Sequence, residues 1–327
     1  MITFIVTTYN LEDWLLRRCL SSIVSQGLAR DEYEIIVVDD ESSISPQHII
    51  DEFAEQADIT LYIQLHARQG AARNLALEYA RGEWVEFVDG DDYLFADTVV
   101  PVLNVAKVNN LDLLMFGFRE VSDEKPMENV CRMPEITPCT ITTGNDYMSR
   151  HNLFGSCCML LFRRQILDEQ HFGKPLRFTK DIYIEDEEFV TRLVWRVQRM
   201  AKVDVPVYAY YQRTGSTVHS CSAGHTDELF DNYFIVLKRL IDFEKTLDEE
   251  PHEGVTRKIR FLAVDILRRA LRESNWKKRW QQSARQLGVL GLFPIPFARY
   301  SCKYLLFRLF AQCGIGRYLL RMIEKRK

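Results

Sequence analysis

The chain has 327 residues, 47% hydrophobic and 27% charged, the proportions of an ordinary globular protein with one large domain or two smaller ones. A formal net charge of −4 argues against a general nucleic-acid binder. No run of about 18 apolar residues is free of charges, so the sequence predicts no transmembrane helix, and MITFIVTTYN lacks the basic start and small-residue cleavage site of a signal peptide. The eight cysteines (19, 131, 139, 157, 158, 221, 302, 313) form no CxxC pair. Reduced thiols in a cytoplasmic chain are the simplest reading, with vicinal Cys157 and Cys158 packed as small hydrophobes.

The first 120 residues alternate between two periods. ITFIVTTY (2–9), YEIIVVDD (33–40), ITLYIQL (59–65), WVEFVD (84–89) and LDLLMFGF (111–118) are rich in β-branched and aromatic residues and predict strands. Helical patterns separate them: EDWLLRRCLSSIVSQ, PQHIIDEFAEQ, GAARNLALEYA and ADTVVPVLNVAKVNN. Such alternation predicts right-handed crossovers and a mostly parallel α/β sheet, which binds ligands beyond its strands' carboxyl ends. Residues 120–155 read as a polar connection, followed by a strand at 157–162, a helix after Tyr183-Ile184-Glu185-Asp186, and a strand at 203–211. From about 225 onward the pattern is helical. Trp14 and Trp84 read as core.

Three predicted strands end in polar residues: Thr7-Thr8-Tyr9-Asn10, Asp39-Asp40 and Asp89-Gly90-Asp91-Asp92. Like charges as close as those of Asp89, Asp91 and Asp92 repel, and burial disfavours each. An EF-hand would need further oxygen ligands that Tyr93-Leu94-Phe95 does not supply. An aspartyl-nucleophile phosphatase would place its Asp-x-Asp after the first strand, which here ends in Thr-Thr-Tyr. A divalent cation shared with a diphosphate fits better, because Mg²⁺ and Mn²⁺ combine one or two carboxylates with substrate phosphates. The competing readings are a solvated acidic turn at 89–92, turn or helix capping at Asp39-Asp40, and surface ion pairs for Arg68 and Arg73. Glu86, inside the fourth strand, needs a partner or water if it points inward.

IVTTYN, VVDDES, ARQGAARNLAL, GEWVEFVDGDDYL and YIEDEEF, in that order, resemble family 2 glycosyltransferases of the GT-A fold. The resemblance covers roughly residues 1–220 and is loose beyond them. It implies a GT-A catalytic domain over 1–220, with a nucleotide-sugar half at 1–120 and an acceptor half at 121–220, and a helical extension over 221–327. It also implies metal-dependent, inverting transfer of a hexosyl or N-acetylhexosaminyl group from a nucleotide-diphosphate sugar, uridine-linked, to a glycan or lipid-linked acceptor of surface polysaccharide. Thr7 and Tyr9 would border the nucleobase, and Asp39 would bond uracil or ribose. Arg68 would lie near the nucleotide. Arg73, counted among the donor-site residues, would brace the pocket floor with Asn74. Asp89 would reach ribose or metal, Asp91 would be the main ligand of a Mn or Mg ion, and Asp92 would orient the loop. Two departures stand out: Glu41 replaces a common glycine, and Gly90 a common serine.

Four acids opening a helix at Glu185-Asp186-Glu187-Glu188 suit a helix N-terminus electrostatically. The family pattern also places a general base there, Asp186, with Glu185 as fallback or acceptor-hydroxyl ligand. Downstream, YYQRTGSTVHS resembles the family's Arg-x-Gly-Ser segment, so Arg213 would assist the diphosphate. His219 reads as a metal ligand, a phosphate contact or a structural residue. From Trp276 to Lys327 twelve Lys and Arg face a single acid, Glu324, with Trp276, Trp280, Phe293, Phe297, Leu305, Leu306, Phe307, Leu319 and Leu320 interleaved. Two readings fit: an interfacial layer on an anionic membrane at the cytoplasmic face, or a packing layer on the catalytic domain or on another subunit, a homo-oligomer. Two rival functions fit the sequence less well. A nucleotidyltransferase wants a Gly-rich loop that IVTTYNLED lacks, and a non-catalytic sugar-nucleotide sensor or scaffold has no need of Asp91 and Asp186.

Overall fold

The structure, a computed structural model, describes residues 1–122, 140–168, 175–212, 223–247 and 252–325. The chain divides into two compact units, one of Met1–Gly144 with Phe154–Ser222, the other of Asn145–Leu153 with Ala223–Lys327.

The first unit is built on an eight-stranded sheet of order β3-β2-β1-β4-β7-β6-β8-β5. Its strands are β1 (Ile2–Thr8), β2 (Tyr33–Asp39), β3 (Ile59–Ile63), β4 (Trp84–Asp89), β5 (Tyr93–Leu94), β6 (Leu113–Val121), β7 (Leu160–Arg163) and β8 (Met200–Tyr211). The run β3-β2-β1-β4 is parallel. Every residue of β1 and β2 is buried, as their near-continuous apolar sequences require of strands covered on both faces. The crossover helices are α1 (Asp13–Val24), α2 (Gln47–Phe53) and α3 (Arg68–Tyr79), with α4 (Val99–Val108) leading into β6. Thr8 pairs with Asp39 and Thr7 with Asp89, so the carboxyl ends of β1, β2 and β4 lie level. That register gathers the polar strand ends into one place.

Beyond β4 the sheet turns mixed. β7 runs antiparallel to both β4 and β6, and β5 antiparallel to β8, while β6 and β8 are parallel. The strand expected at 157–162 is shorter: Cys157–Met159 form a 3-10 turn, and only then does β7 begin. Trp84 is core, but Trp14 is not; it is 43% exposed, its ring edge-on to Tyr211. The remaining helix of this unit, α6 (Glu185–Arg196), starts at the acidic cluster itself. Between α4 and α6 in sequence lies α5 (Gly144–Arg150), which from Asn145 onward belongs to the second unit.

The second unit is helical: α7 (Ala223–Lys245), α8 (Glu253–Arg272), α9 (Trp276–Val289), α10 (Cys302–Ala311) and α11 (Gly314–Glu324). α8 is its centre, and the segment 145–153 joins it there. Gly254 donates its N–H to Asn145 Oδ1, Arg257 donates to the Ser149 carbonyl, and Lys258 to the Leu153 carbonyl. No helix of the described residues is long and apolar enough to cross a membrane.

Glu86 points inward without a partner. It is fully buried in β4, between Phe4 and Leu161 in the register, and neither carboxylate oxygen has a hydrogen-bond partner among the described residues. Burial alone pushes its carboxyl up to about 8. The unfolded carboxyl titrates near about 4.3. Between those values unfolding releases a proton, so Glu86 lowers stability progressively as pH rises, and the penalty is complete above about pH 8. Glu86→Gln removes this dependence. Its melting temperature is expected to exceed the wild type's by a margin that widens between about pH 5 and about pH 8, measured by calorimetry. A margin that stays constant with pH would refute the assignment.

Candidate active site

One buried guanidinium collects three acids from distant parts of the chain. Arg73, on α3, donates from Nη2 to Asp89 Oδ1 at 2.9 Å, and from Nη1 to Glu185 Oε1 at 2.9 Å and Asp186 Oδ1 at 2.6 Å. Its rear stacks toward Phe178 and Phe87, 5.4 and 5.9 Å from the ring centroids. A planar cation with several donors suits this three-way contact as an ammonium does not. Gly70 makes the approach possible, because a Cβ there would meet the Thr179 carbonyl oxygen at 2.8 Å and Glu185 Cγ at 3.0 Å. Asn74, one position along the helix, clasps the Phe178 backbone through both its amide nitrogen and its oxygen.

Three carboxylates against one cation leave surplus negative charge in a partly dry place. Burial pushes the Glu185 carboxyl up to about 7, with Asp186 adding to the rise and Arg73 opposing it. Asp186 is raised too, again chiefly by burial, against the pull of Arg73. The two differ in access: the Asp186 side chain is 21% exposed, that of Glu185 8%. Asp186 also accepts from the Cys157 backbone N–H at 3.4 Å and from its thiol at 3.6 Å.

The loop after β4 is fixed from two sides. Gly90 donates its N–H to the Thr7 carbonyl at 3.0 Å, and a Cβ at Gly90 would lie 2.8 Å from that same oxygen, so space demands glycine. Asp92 is buried and accepts from Tyr208 Oη at 2.6 Å and from the Tyr211 N–H at 2.7 Å, while Tyr208 Oη accepts from the Asp89 N–H. Burial drives the Asp92 carboxyl well above the usual range, and Asp89 and Asp91 push the same way. Asp91 is held through its carbonyl, which accepts from Arg18 Nη2 at 2.8 Å. The Arg18 guanidinium itself lies over Tyr211, Tyr93 and Trp14, at 4.1, 4.6 and 4.9 Å.

On the other side, Gln69 Nε2 links Asp89 Oδ1 (2.6 Å) to Thr7 Oγ1 (3.3 Å). Tyr9 is exposed and stacked on His66, centroids 4.6 Å apart. Asp39 is buried and closes a turn by accepting from the Ser42 N–H and hydroxyl. Asp40 accepts from the backbone N–H groups of Ala67 and Arg68, at 2.9 and 3.0 Å, and so caps α3 from a neighbouring strand. Arg68, at φ 66°, lays its guanidinium over Tyr183 at 4.2 Å and donates to the Asp181 carbonyl. Arg213 and His219 lie outside the described residues.

Thr7, Asp89, Arg73, Glu185, Asp186, Asp91 and Asp92 thus form one connected neighbourhood, with Tyr9 and Asp39 at the ends of the adjoining strands. Among the described residues no group of three His, Cys, Asp or Glu side chains is arranged to hold a metal ion. Asp92 is committed through both oxygens to Tyr208 and Tyr211, and Asp89 accepts on Oδ1 from Arg73 and Gln69, so the candidate ligands are the carboxylates of Asp89 and Asp91. Two carboxylates and no nitrogen or sulfur suit Mg²⁺ or Mn²⁺, ions that keep several waters and share substrate phosphates, so the donor set fits. Gln69, Tyr208, His66, Ser42 and Arg18 went unassigned in the sequence. Gln69 and Ser42 had a signal there, their positions inside ARQGAARN and VVDDES.

The Glycosyl transferase family 2 model matches residues 3–170. Among curated proteins, the poly(ribitol-phosphate) beta-glucosyltransferase of Bacillus spizizenii is 26% identical over 271 residues, 82% of this chain and 40% of that one. The uncharacterized glycosyltransferase EpsJ of Bacillus subtilis is 26% identical over 223 residues, 66% of this chain and 62% of that one. The chain therefore spans only about half the length of these relatives. Among solved structures, residues 1–349 of Staphylococcus aureus TarS in complex with UDP-GlcNAc superpose with a TM-score of 0.67 at 18% identity, covering 99% of this chain and 89% of that one. A mannosyltransferase from Pyrobaculum calidifontis, with GDP-Man and Mn²⁺, gives 0.54 at 17% identity over 99% of this chain and 86% of that one. The shared fold is GT-A.

Removing the central cation tests the cluster. Arg73→Met is expected to cost about 3–5 kcal/mol of unfolding free energy, the usual result of stranding buried charges. Arg73→Lys should recover only part of this. Urea denaturation measures both, and a loss under about 1 kcal/mol for Arg73→Met would show that the acids do not depend on it.

Proposed function

Because the chain belongs to glycosyl transferase family 2, we propose that it moves a hexosyl or N-acetylhexosaminyl group, with inversion, from a uridine diphosphate sugar to a hydroxyl of a glycan or lipid-linked acceptor in surface-polysaccharide synthesis. The carrying observation is the Arg73 cluster, which joins the acidic end of β4 to the acidic start of α6. Donor-side and acceptor-side carboxylates are thereby held within one guanidinium's span. The name of the poly(ribitol-phosphate) beta-glucosyltransferase relative supports a surface-polymer acceptor. Nucleotide sugars are cytoplasmic metabolites, so this reading puts the reaction on that side of the membrane.

In this reading Tyr9 offers a flat exposed ring to the base, Asp39 takes a uracil or ribose donor, Thr7 lines the pocket, and Arg68 borders the nucleotide. Arg213 is assigned to the diphosphate by its motif alone. Asp91 and Asp89 would hold a divalent cation, which would supply the positive charge that a diphosphate needs. Asp186 takes the proton of the acceptor hydroxyl as that oxygen bonds to the anomeric carbon. The bond from that carbon to the diphosphate breaks, and its electron pair leaves with the diphosphate. Asp186 is the better base of the pair because its carboxylate is the more accessible, and burial raises its affinity for a proton above that of an ordinary carboxylate. Glu185, deeper and pushed up to about 7 by burial, sets the charge beside it. Residues 121–220 would shape the acceptor side.

Asp186→Asn should keep donor affinity and lose roughly 10²-fold or more in turnover. Asp91→Asn should lose Mn²⁺-dependent binding of uridine diphosphate, read by calorimetry, with little change in melting temperature. Normal turnover by Asp186→Asn alongside an inactive Glu185→Gln would reassign the base. Absence of turnover by the wild type across a panel of nucleotide sugars with Mn²⁺ would favour a binding or scaffold role.

A further inference from the structure

We propose that the outward sides of α10 and α11 dock on an anionic lipid surface. α11 packs inward through Gly316, Leu320 and Glu324, at intervals of four residues. Arg268 and Arg272 clasp the Glu324 carboxylate, each at 2.7 Å, which removes the single acid of 276–327 from the surface. The opposite side of α11 carries Ile315, Tyr318, Leu319, Met322 and Ile323, between 44% and 79% exposed. Those positions follow i, i+3, i+4, i+7 and i+8, one continuous stripe. α10 repeats the arrangement: Tyr304, Phe307 and Ala311 point in, while Leu306 and Leu309 are 52% and 61% exposed. Soluble monomers rarely leave so many large apolar side chains together in water.

Charge selects the occupant. Exposed Arg299, Lys303 and Lys325 lie next to these stripes in sequence, and among the described residues from Trp276 onward no exposed carboxylate opposes them. A second copy of the chain docked through the same patch would bring the same cations face to face. A bilayer bearing phosphatidylglycerol offers the opposite sign and an apolar interior at once. The helices have 10 and 11 residues, about half the length needed to span, so they lie in the interface. α9 is excluded from this surface, although its composition resembles theirs. It buries Trp280, Ser283 and Leu287, and its Arg279 is paired with Asp227.

The test is co-sedimentation of the full chain with vesicles of mixed phosphatidylglycerol and phosphatidylcholine, or of phosphatidylcholine alone, at low and high salt. Capture by the anionic vesicles at low salt, falling at high salt and at least about tenfold weaker on phosphatidylcholine, is expected. Ile315→Glu with Ile323→Glu should lose at least about tenfold in partitioning at an unchanged melting temperature, because both positions are exposed. If that pair melts early, Lys303→Glu with Lys325→Glu should lose binding to the anionic vesicles instead. The proposal is overturned if the wild type ignores anionic vesicles at low salt, or if correctly folded variants bind as it does. It is also overturned if the patch instead drives a concentration-dependent dimer, seen by sedimentation, that the Ile315/Ile323 pair disperses.

Discussion

The contact of Arg73 with Asp89, Glu185 and Asp186 is the constraint on which the sheet-based unit turns. It ties together a strand end, a crossover helix and the start of a helix more than a hundred residues away. A buried ion pair of this kind contributes little net stability over apolar packing, but losing one partner is expensive. Here the count is unbalanced, with three acids to one base. Partial protonation of Glu185 relieves some of the excess. The exposed edge of Asp186, and a cation at Asp89 and Asp91, would relieve more.

Much of this was legible in the sequence, for one reason. In parallel strands the apolar run stops where the chain leaves the sheet, so polar residues at 7–10, 39–40 and 89–92 announced both the strand ends and their shared location. Other features could not be read. The direction of β7 leaves no trace in periodicity, since a short buried strand looks alike whether parallel or antiparallel. Tyr208 serves Asp89 and Asp92 from 119 and 116 residues away, and nothing local in VPVYAYY marks it. In the basic tail, composition identified amphipathic helices but could not say which apolar residues face inward. Trp280, Phe307 and Leu320 proved to be packing, while Leu306 and Leu319 stayed outside.

The two departures from the family pattern have local explanations. Glu41 occupies φ 68°, the left-handed region where glycine is cheapest, and its side chain compensates by accepting from the His66 N–H at 3.0 Å. Gly90 is different: its backbone is ordinary, and the closeness of the Thr7 carbonyl is what restricts it. A serine there would require the end of β1 to shift by some tenths of an ångström. One glycine position thus concerns torsion and the other concerns room.

The cap that Asp40 places on α3 bears on how such sites diversify. The carboxylate leaves β2 yet satisfies the first amides of a helix that carries Gln69, Arg73 and Asn74. Exchanging the 39–45 loop alone would strip that helix of its terminal hydrogen bonds and disturb the carboxylates beneath. The smallest portable module is therefore the loop together with α3. Recombination between relatives should respect that boundary, with crossovers tolerated before β2 or after Tyr79 and selected against between Asp40 and Arg73.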